Sequence, residues 1–305
     1  MENAQRPNGN GLMIMDLSDP ESVTEVARWH VPGQLYGEET EYYKYWFAGD
    51  HAAWTGSHNA PSTPARVEES GRHGYGGFGH FGMITFDFSD IRNPSPVSQL
   101  IWDNEAIGGI PYHTVLPIVD GNANFNNIII GLPEAIEPDC REPYKPIQVI
   151  DASDLANPEI VGLFRRPVAP EDVPYADFCL SRGRFGSHNT HSFIQPGASN
   201  PNLVATSHFN AGARLTDISD PTKPRKVAWY LPPRGGEIDN YNSWRRGDTE
   251  TVFIEWDRNL MWVGTHAGTY CLSSPHLACP YCSGARSSDG PCYTATEVGT
   301  PSLSL

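Results

Sequence analysis

Histidine and glutamate recur at the two ends of a series of apolar hairpins. The first strand of four successive hairpins opens on Glu41 (EYYKYWF), His113 (HTVLPI), His191 (HSFIQ) and Glu250 (ETVFIE). The second strand closes on His58 (AAWTGSH), Glu134 (IIIGLPE), His208 (VATSH) and His266 (WVGTH). The steps from opening to closing residue are 17, 21, 17 and 16. A hairpin folds its first residue beside its last, so each pair is expected side by side. Imidazole with carboxylate is a donor set for zinc, iron or manganese. The candidate ligands of such a divalent transition metal are therefore His58, His113, His191, His208 and His266, with His188 in RFGSHNTH, which a local bulge could exchange with His191. Glu134 and Glu250 are the candidate catalytic groups, as ligand or as acid and base. Arg182 and Arg184, in SRGRFGSHN, can hold an anionic substrate, and Glu41 completes the substrate-binding candidates. The chemistry expected is metal-assisted lyase, hydrolase or oxidase action on a small polar organic molecule. The competing reading is a structural polar residue copied from unit to unit, in a propeller that only binds or scaffolds.

What must position these residues is a repeat. Four segments read as apolar strand, Asp-x-Ser-Asp, Pro-containing turn and second apolar strand: GLMIMDLSDPESVTEVARWHVP from Gly11, GMITFDFSDIRNPSPVSQLIW from Gly82, IQVIDASDLANPEIVGLFRRP from Ile147 and ARLTDISDPTKPRKVAWYLPP from Ala213. Their first aspartates are Asp16, Asp87, Asp151 and Asp217, at intervals of 71, 64 and 66 residues. A weaker copy, GTYCLSSP from Gly268, keeps the strand without either Asp. Asp and Ser side chains bond nearby backbone N–H groups and fix tight turns. An EF-hand is the lesser alternative, because the loop lacks its Gly and distal Glu. Two strands from the hairpin and two from the motif make four antiparallel strands per unit, the composition of a propeller blade. If the first strand of each blade lines the central channel, the His and Glu residues converge at one mouth of it.

The strings MIMDLSDP, ITFDFSDI, QVIDASDL and RLTDISDP resemble the LVIVD repeat, a family of β-propeller repeats, from Gly11 to Pro275. The resemblance implies an all-β propeller of four-stranded antiparallel blades over residues 1–275, and leaves function open, since repeat folds host many activities. About four to five units can be counted, the first incomplete, which suggests that N-terminal blades are missing from this chain.

The composition agrees. Gly (29) and Pro (27) suit short strands and many turns. A net charge of -15 argues against a broad nucleic-acid surface, and no apolar run is long enough for a membrane-spanning helix. The start, MENAQRPNGNG, has no signal-peptide pattern, and six cysteines do not fix a compartment. The Gly-rich segment RVEESGRHGYGGFGH, with His73 and His80, reads as a long loop or lid. Residues 276–305 read as an irregular tail whose His276, Cys279, Cys282 and Cys292 could bind zinc, form a disulfide or stay unpaired, and which packs little. Gly-x-Ser-x-Gly, Walker and dinucleotide fingerprints do not occur.

Overall fold

A computed structural model of the chain describes residues 11–32, 38, 72–102, 110–119, 125–190, 200–233, 248–277 and 293–294. About half of them are in strands, and the helical segments among them are 3-10 turns of three or four residues. None of these is long and apolar enough to cross a membrane. The strands form five small sheets in chain order. The first sheet is β1 (Gly11–Asp16) and β2 (Thr24–His30); the second is β3 (His73–Gly77), β4 (Met83–Asp87) and β5 (Ser95–Leu100). The third is β6 (Ile110–Val119), β7 (Phe125–Glu134), β8 (Gln148–Asp151) and β9 (Glu159–Leu163). The fourth is β10 (Leu203–Ser207), β11 (Ala213–Asp217) and β12 (Arg225–Tyr230). The fifth is β13 (Thr249–Glu255), β14 (Leu260–Thr265), β15 (Gly268–Ser273) and β16 (Tyr293–Thr294). Sequence neighbours pair antiparallel within every sheet, except that β16 runs parallel to β15.

The Asp-x-Ser-Asp groups make one turn four times. The first Asp accepts from the backbone N–H two residues on at Asp16, Asp87, Asp151 and Asp217, over 2.7–2.9 Å. The second does the same at Asp19, Asp90, Asp154 and Asp220, over 3.0 Å. Each turn therefore satisfies two backbone donors with two carboxylates. The strands that follow carry a bulge at one fixed place. The register slips between Ile14 and Met15, Thr85 and Phe86, Val149 and Ile150, and Leu215 and Thr216. The residue left over on the partner strand is a valine each time: Val26, Val97, Val161 and Val227. A bulge increases local twist, so each unit twists at the same point.

Successive sheets share cores. Trp29 of β2 packs with Ile84 and Phe86 of the second sheet and with Phe78, which follows β3. Tyr75 and Met83 meet Tyr112, Ile129 and Ile150 of the third. Ile118, Ile130 and Val149 meet Val204 and Ile218 of the fourth, and Leu215 and Ala228 meet Val252, Met261 and Leu272 of the fifth. The apolar faces of neighbouring sheets thus cover one another in chain order.

Among the described residues, four antiparallel strands are seen in the third sheet, and the first-strand segments at Glu41 and His191, like His58, lie outside the described residues. Two expectations change. The partner of β4 is His73–Gly77, so the second strand of that unit lies within the Gly-rich segment expected as a loop, and not at the segment ending on His58. Packing continues past residue 275: Leu277 is fully buried against the fifth sheet, and Tyr293–Thr294 pairs with β15.

Candidate functional site

Two bulges and two strand ends assemble a cluster of His, Glu and Arg. On β6 the register shifts between Ile110 and Thr114, which leaves His113 in a bulge beside Glu134 at the end of β7. On β13 it shifts between Thr249 and Thr251, which leaves Glu250 in a second bulge. A bulge re-aims a side chain that regular pleating would send elsewhere. His113 Nε2 lies 3.3 Å from Glu134 Oε2, and His266 Nε2 lies 2.7 Å from Glu250 Oε1. His188 joins the two pairs: its Nε2 is 3.7 Å from Glu134 Oε1, and its Nδ1 is 3.1 Å from Glu250 Oε2 and 2.9 Å from the Glu250 carbonyl.

Nδ1 of both imidazoles is anchored, that of buried His113 by the Thr114 hydroxyl at 2.8 Å and that of half-buried His188 by Glu250. Both Nε2 atoms therefore turn to one carboxylate, Glu134. His113, Glu134 and His188 each offer one ligand atom, all within 4.8 Å of one another. Arg184 lies across the cluster. It donates from Nη1 to Glu134 and from Nη2 to Glu250, each at 3.0 Å, and its Nε is 3.9 Å from Asp248. Its guanidinium lies 3.6 Å over the Phe209 ring, on which His188 also stacks. Burial alone would raise the Glu250 carboxyl. The His188 hydrogen bond and the charges of Arg184, His188 and His266 outweigh burial and hold it at about 2.

His208 stands apart from this cluster. It follows β10, and its neighbours on either side face the cluster: Ser207 donates to the Glu250 carbonyl, and Phe209 meets Arg184 and His188. Alternation sends His208 to the opposite face, beside Arg214. Burial, and then the Arg214 charge, push its imidazole down to about 3. Arg182 is exposed at the end of a 3-10 turn, where its carbonyl accepts from Asn210. Arg184 is engaged by carboxylates rather than open to a substrate anion, because bulged Glu250 comes within reach of it. His191, His58 and Glu41 lie outside the described residues. Sequence reasoning passed over Asp248, fully buried, whose Asp-x-Glu spacing from Glu250 was the available signal.

The repeat itself is decided by comparison. A model of the LVIVD repeat matches residues 7–31, the span of β1, the Asp16–Asp19 turn and β2. The chain carries the LVIVD repeat. That repeat type is found in β-propeller proteins, and the turns at Asp87, Asp151 and Asp217 reproduce the hydrogen bonding of the matched copy. No curated protein matches the whole chain or a part of it. Among solved structures, Chaetomium thermophilum Sqt1 bound to the N-terminus of the ribosomal protein L10 is similar at 12% identity and a TM-score of 0.34. The match covers 86% of this chain and 56% of the Sqt1 chain, so this chain spans little more than half of its length. A likeness of that size says nothing of what the LVIVD-repeat chain binds.

Proposed function

We propose that His113, Glu134 and His188 hold a divalent transition metal (zinc, iron or manganese) and that the chain is a metal-dependent enzyme acting on a small polar organic substrate. The observation that carries this reading is the shared aim of two imidazole Nε2 atoms at one carboxylate, each imidazole fixed from behind through Nδ1. A carboxylate or hydroxyl behind a ligating histidine fixes its tautomer and raises its basicity. Two donors at about 2.1 Å from an ion in tetrahedral array are roughly 3.4 Å apart, and His113 Nε2 and Glu134 Oε2 are 3.3 Å apart. Charge points the same way. With neutral imidazoles and all three carboxyls ionised, Glu134, Asp248 and Glu250 set against the guanidinium of Arg184 leave two net negative charges, those a divalent cation cancels. Two His and one carboxylate leave coordination positions for water or substrate.

A bound metal would supply a Lewis acid for a substrate oxygen or a water. Glu250, ionised at neutral pH, holds His188 in its ligating tautomer and accepts from His266. His266 is the exposed member, and an imidazole on a carboxylate can pass a proton between substrate and solvent. One observation favours a second reading, a propeller that binds or scaffolds without catalysis: Arg184 already bridges both glutamates, as a resident cation would. Elemental analysis of protein purified without chelator, and again after incubation with zinc, iron or manganese, separates the two. One ion per chain, lost in His113→Ala and in His188→Ala with the circular dichroism unchanged, is the expected result. No stoichiometric ion under any loading condition overturns the metal reading and leaves the Arg184 network as the explanation.

A further inference from the structure

A second site lies on the other face of the segment 207–209, at and just beyond the end of β10. A cleft of about 540 Å³ opens between the segment 164–168 that follows β9 and the strands β11 and β12. Six of the chain's 21 basic side chains line it, and no carboxylate does: Arg165, Arg166, Arg214, Lys223, Arg225 and Lys226. In a chain of net charge -15 that concentration runs against the average. Asp177, Asp220 and Asp217 pair with Arg166, Lys223 and Arg225. Arg165, Arg214 and Lys226 make no ion pair among the described residues.

Arg214 is the unusual member. It is 3% exposed and held by the ring of Phe178 at 5.5 Å and that of Trp229 at 5.7 Å. Its Nη2 donates to the Ala211 carbonyl at 2.7 Å, but Nε and Nη1 are buried without a hydrogen-bond partner. His208 beside it is 2% exposed and likewise has an unpartnered Nε2. A buried charge with neither counter-ion nor satisfied donors is costly, and the cost disappears when an anion occupies the site. Charge crowding is felt by the neighbours: burial, then the Arg214 charge, lower the Lys226 ammonium as well as the His208 imidazole.

We propose that this cleft is a binding site for a small organic anion, its phosphate or carboxylate head held by Arg214 at the floor and its approach guided by Arg165 and Lys226 at the surface. The fork of a guanidinium matches either head in bidentate fashion. The cleft is larger than an inorganic anion, so the ligand carries an organic body as well as the head. The proposal is independent of the metal reading, since none of the residues lining the cleft belongs to the His113–Glu134–His188 group.

Equilibrium dialysis and isothermal calorimetry with inorganic phosphate and with malonate, each against chloride at equal ionic strength, test it. Binding of phosphate alone, malonate alone or both assigns the head group and supports the site. Binding of neither beyond chloride overturns it. Arg214→Met is expected to weaken binding about 10-fold or more, the scale of a buried charge-assisted hydrogen bond. If Arg214→Met does not fold, the exposed pair Arg165→Met/Lys226→Met decides: about a threefold or greater loss supports the proposal, and undiminished binding overturns it. His113→Ala should bind phosphate as wild type does; loss of anion binding in that variant would assign the anion to the other site.

Discussion

Removal of the Arg184 charge is the sharpest probe of the His and Glu cluster. The Arg184 side chain is 11% exposed, and its partners Glu134 and Glu250 are 7% and 24% exposed. Arg184→Met keeps much of the volume over Phe209 and deletes both 3.0 Å hydrogen bonds. Breaking a buried ion pair from one side strands the other charge and costs about 3–5 kcal/mol. The Glu250 carboxyl gives an independent figure. Burial pushes it up, and the His188 hydrogen bond with the charges of Arg184, His188 and His266 more than offsets this, so it moves from an ordinary 4.5 to about 2, a net balance of at most about 3 kcal/mol before solvent screening reduces it. The sign follows from the depressed value: this stability is fully present above the ordinary carboxylate pKa and is lost as pH falls toward 2. Urea unfolding followed by tryptophan fluorescence should therefore show Arg184→Met several kcal/mol less stable at neutral pH, with the gap to wild type narrowing near pH 3. Saturating zinc should narrow it at neutral pH, because the variant holds one more uncompensated negative charge. Adding Glu250→Gln to Arg184→Met should cost less than the two single changes together. A neutral-pH gap below about 1 kcal/mol, or one that does not change with pH, would refute the reasoning.

Three further outcomes are expected. His208 is held down to about 3 by burial and by Arg214, so its contribution is intact above the ordinary histidine value of 6.5 and is lost as pH falls toward 3, at up to about 1.4 kcal/mol per pH unit; His208→Gln should flatten that limb of a urea-midpoint profile. Asp217→Ala removes the acceptor for Ser219 N–H and the Arg225 partner, and should cost about 1 kcal/mol in urea unfolding, with Asp217→Asn recovering part of it. The Cys140–Cys179 disulfide closes a separation of 39 residues. By the chain-entropy relation Cys140→Ser/Cys179→Ser should lose about 4 kcal/mol, and reductant should bring wild-type melting down to the variant's while leaving the variant unchanged.

The repeat was legible because its chemistry is local. An Asp two residues before a backbone donor makes its turn whatever surrounds it, and four copies did so. The bulge valines Val26, Val97, Val161 and Val227 stand in plain view, but a bulge is a relation between two strands and no turn signal announces it. Strand β3 was hidden for a different reason. HGYGG lacks apolar alternation, and at its last position a side chain is ruled out, since a Cβ on Gly77 would come within 2.7 Å of the Tyr112 carbonyl oxygen. The close approach of β6 demands glycine there, and glycine reads as loop. The Cys140–Cys179 pair was missed because a disulfide joins residues by three-dimensional proximity, and 39 residues of separation carry no sign of it.

The candidate site follows the same division. His113 beside Glu134, and Glu250 beside His266, are neighbours within one hairpin, where chain reversal alone brings opening and closing residues together. His208 depends on parity, and one residue decides which face it takes. Ser207 and Phe209 face the acidic cluster, so His208 between them faces the cationic cleft. One short segment therefore separates two sites of opposite charge. Phe209 carries the Arg184 guanidinium on its ring and closes the acidic side, while His208 and Arg214 close the basic side. Placing the imidazole of His208 on the acidic side instead would remove a neutral group from beside Arg214 and turn Phe209 away from Arg184. The register of this segment is thus what keeps the two sites distinct, and its anchors are the His208 N–H to Gly212 carbonyl bond and the Thr249 N–H to Phe209 carbonyl bond.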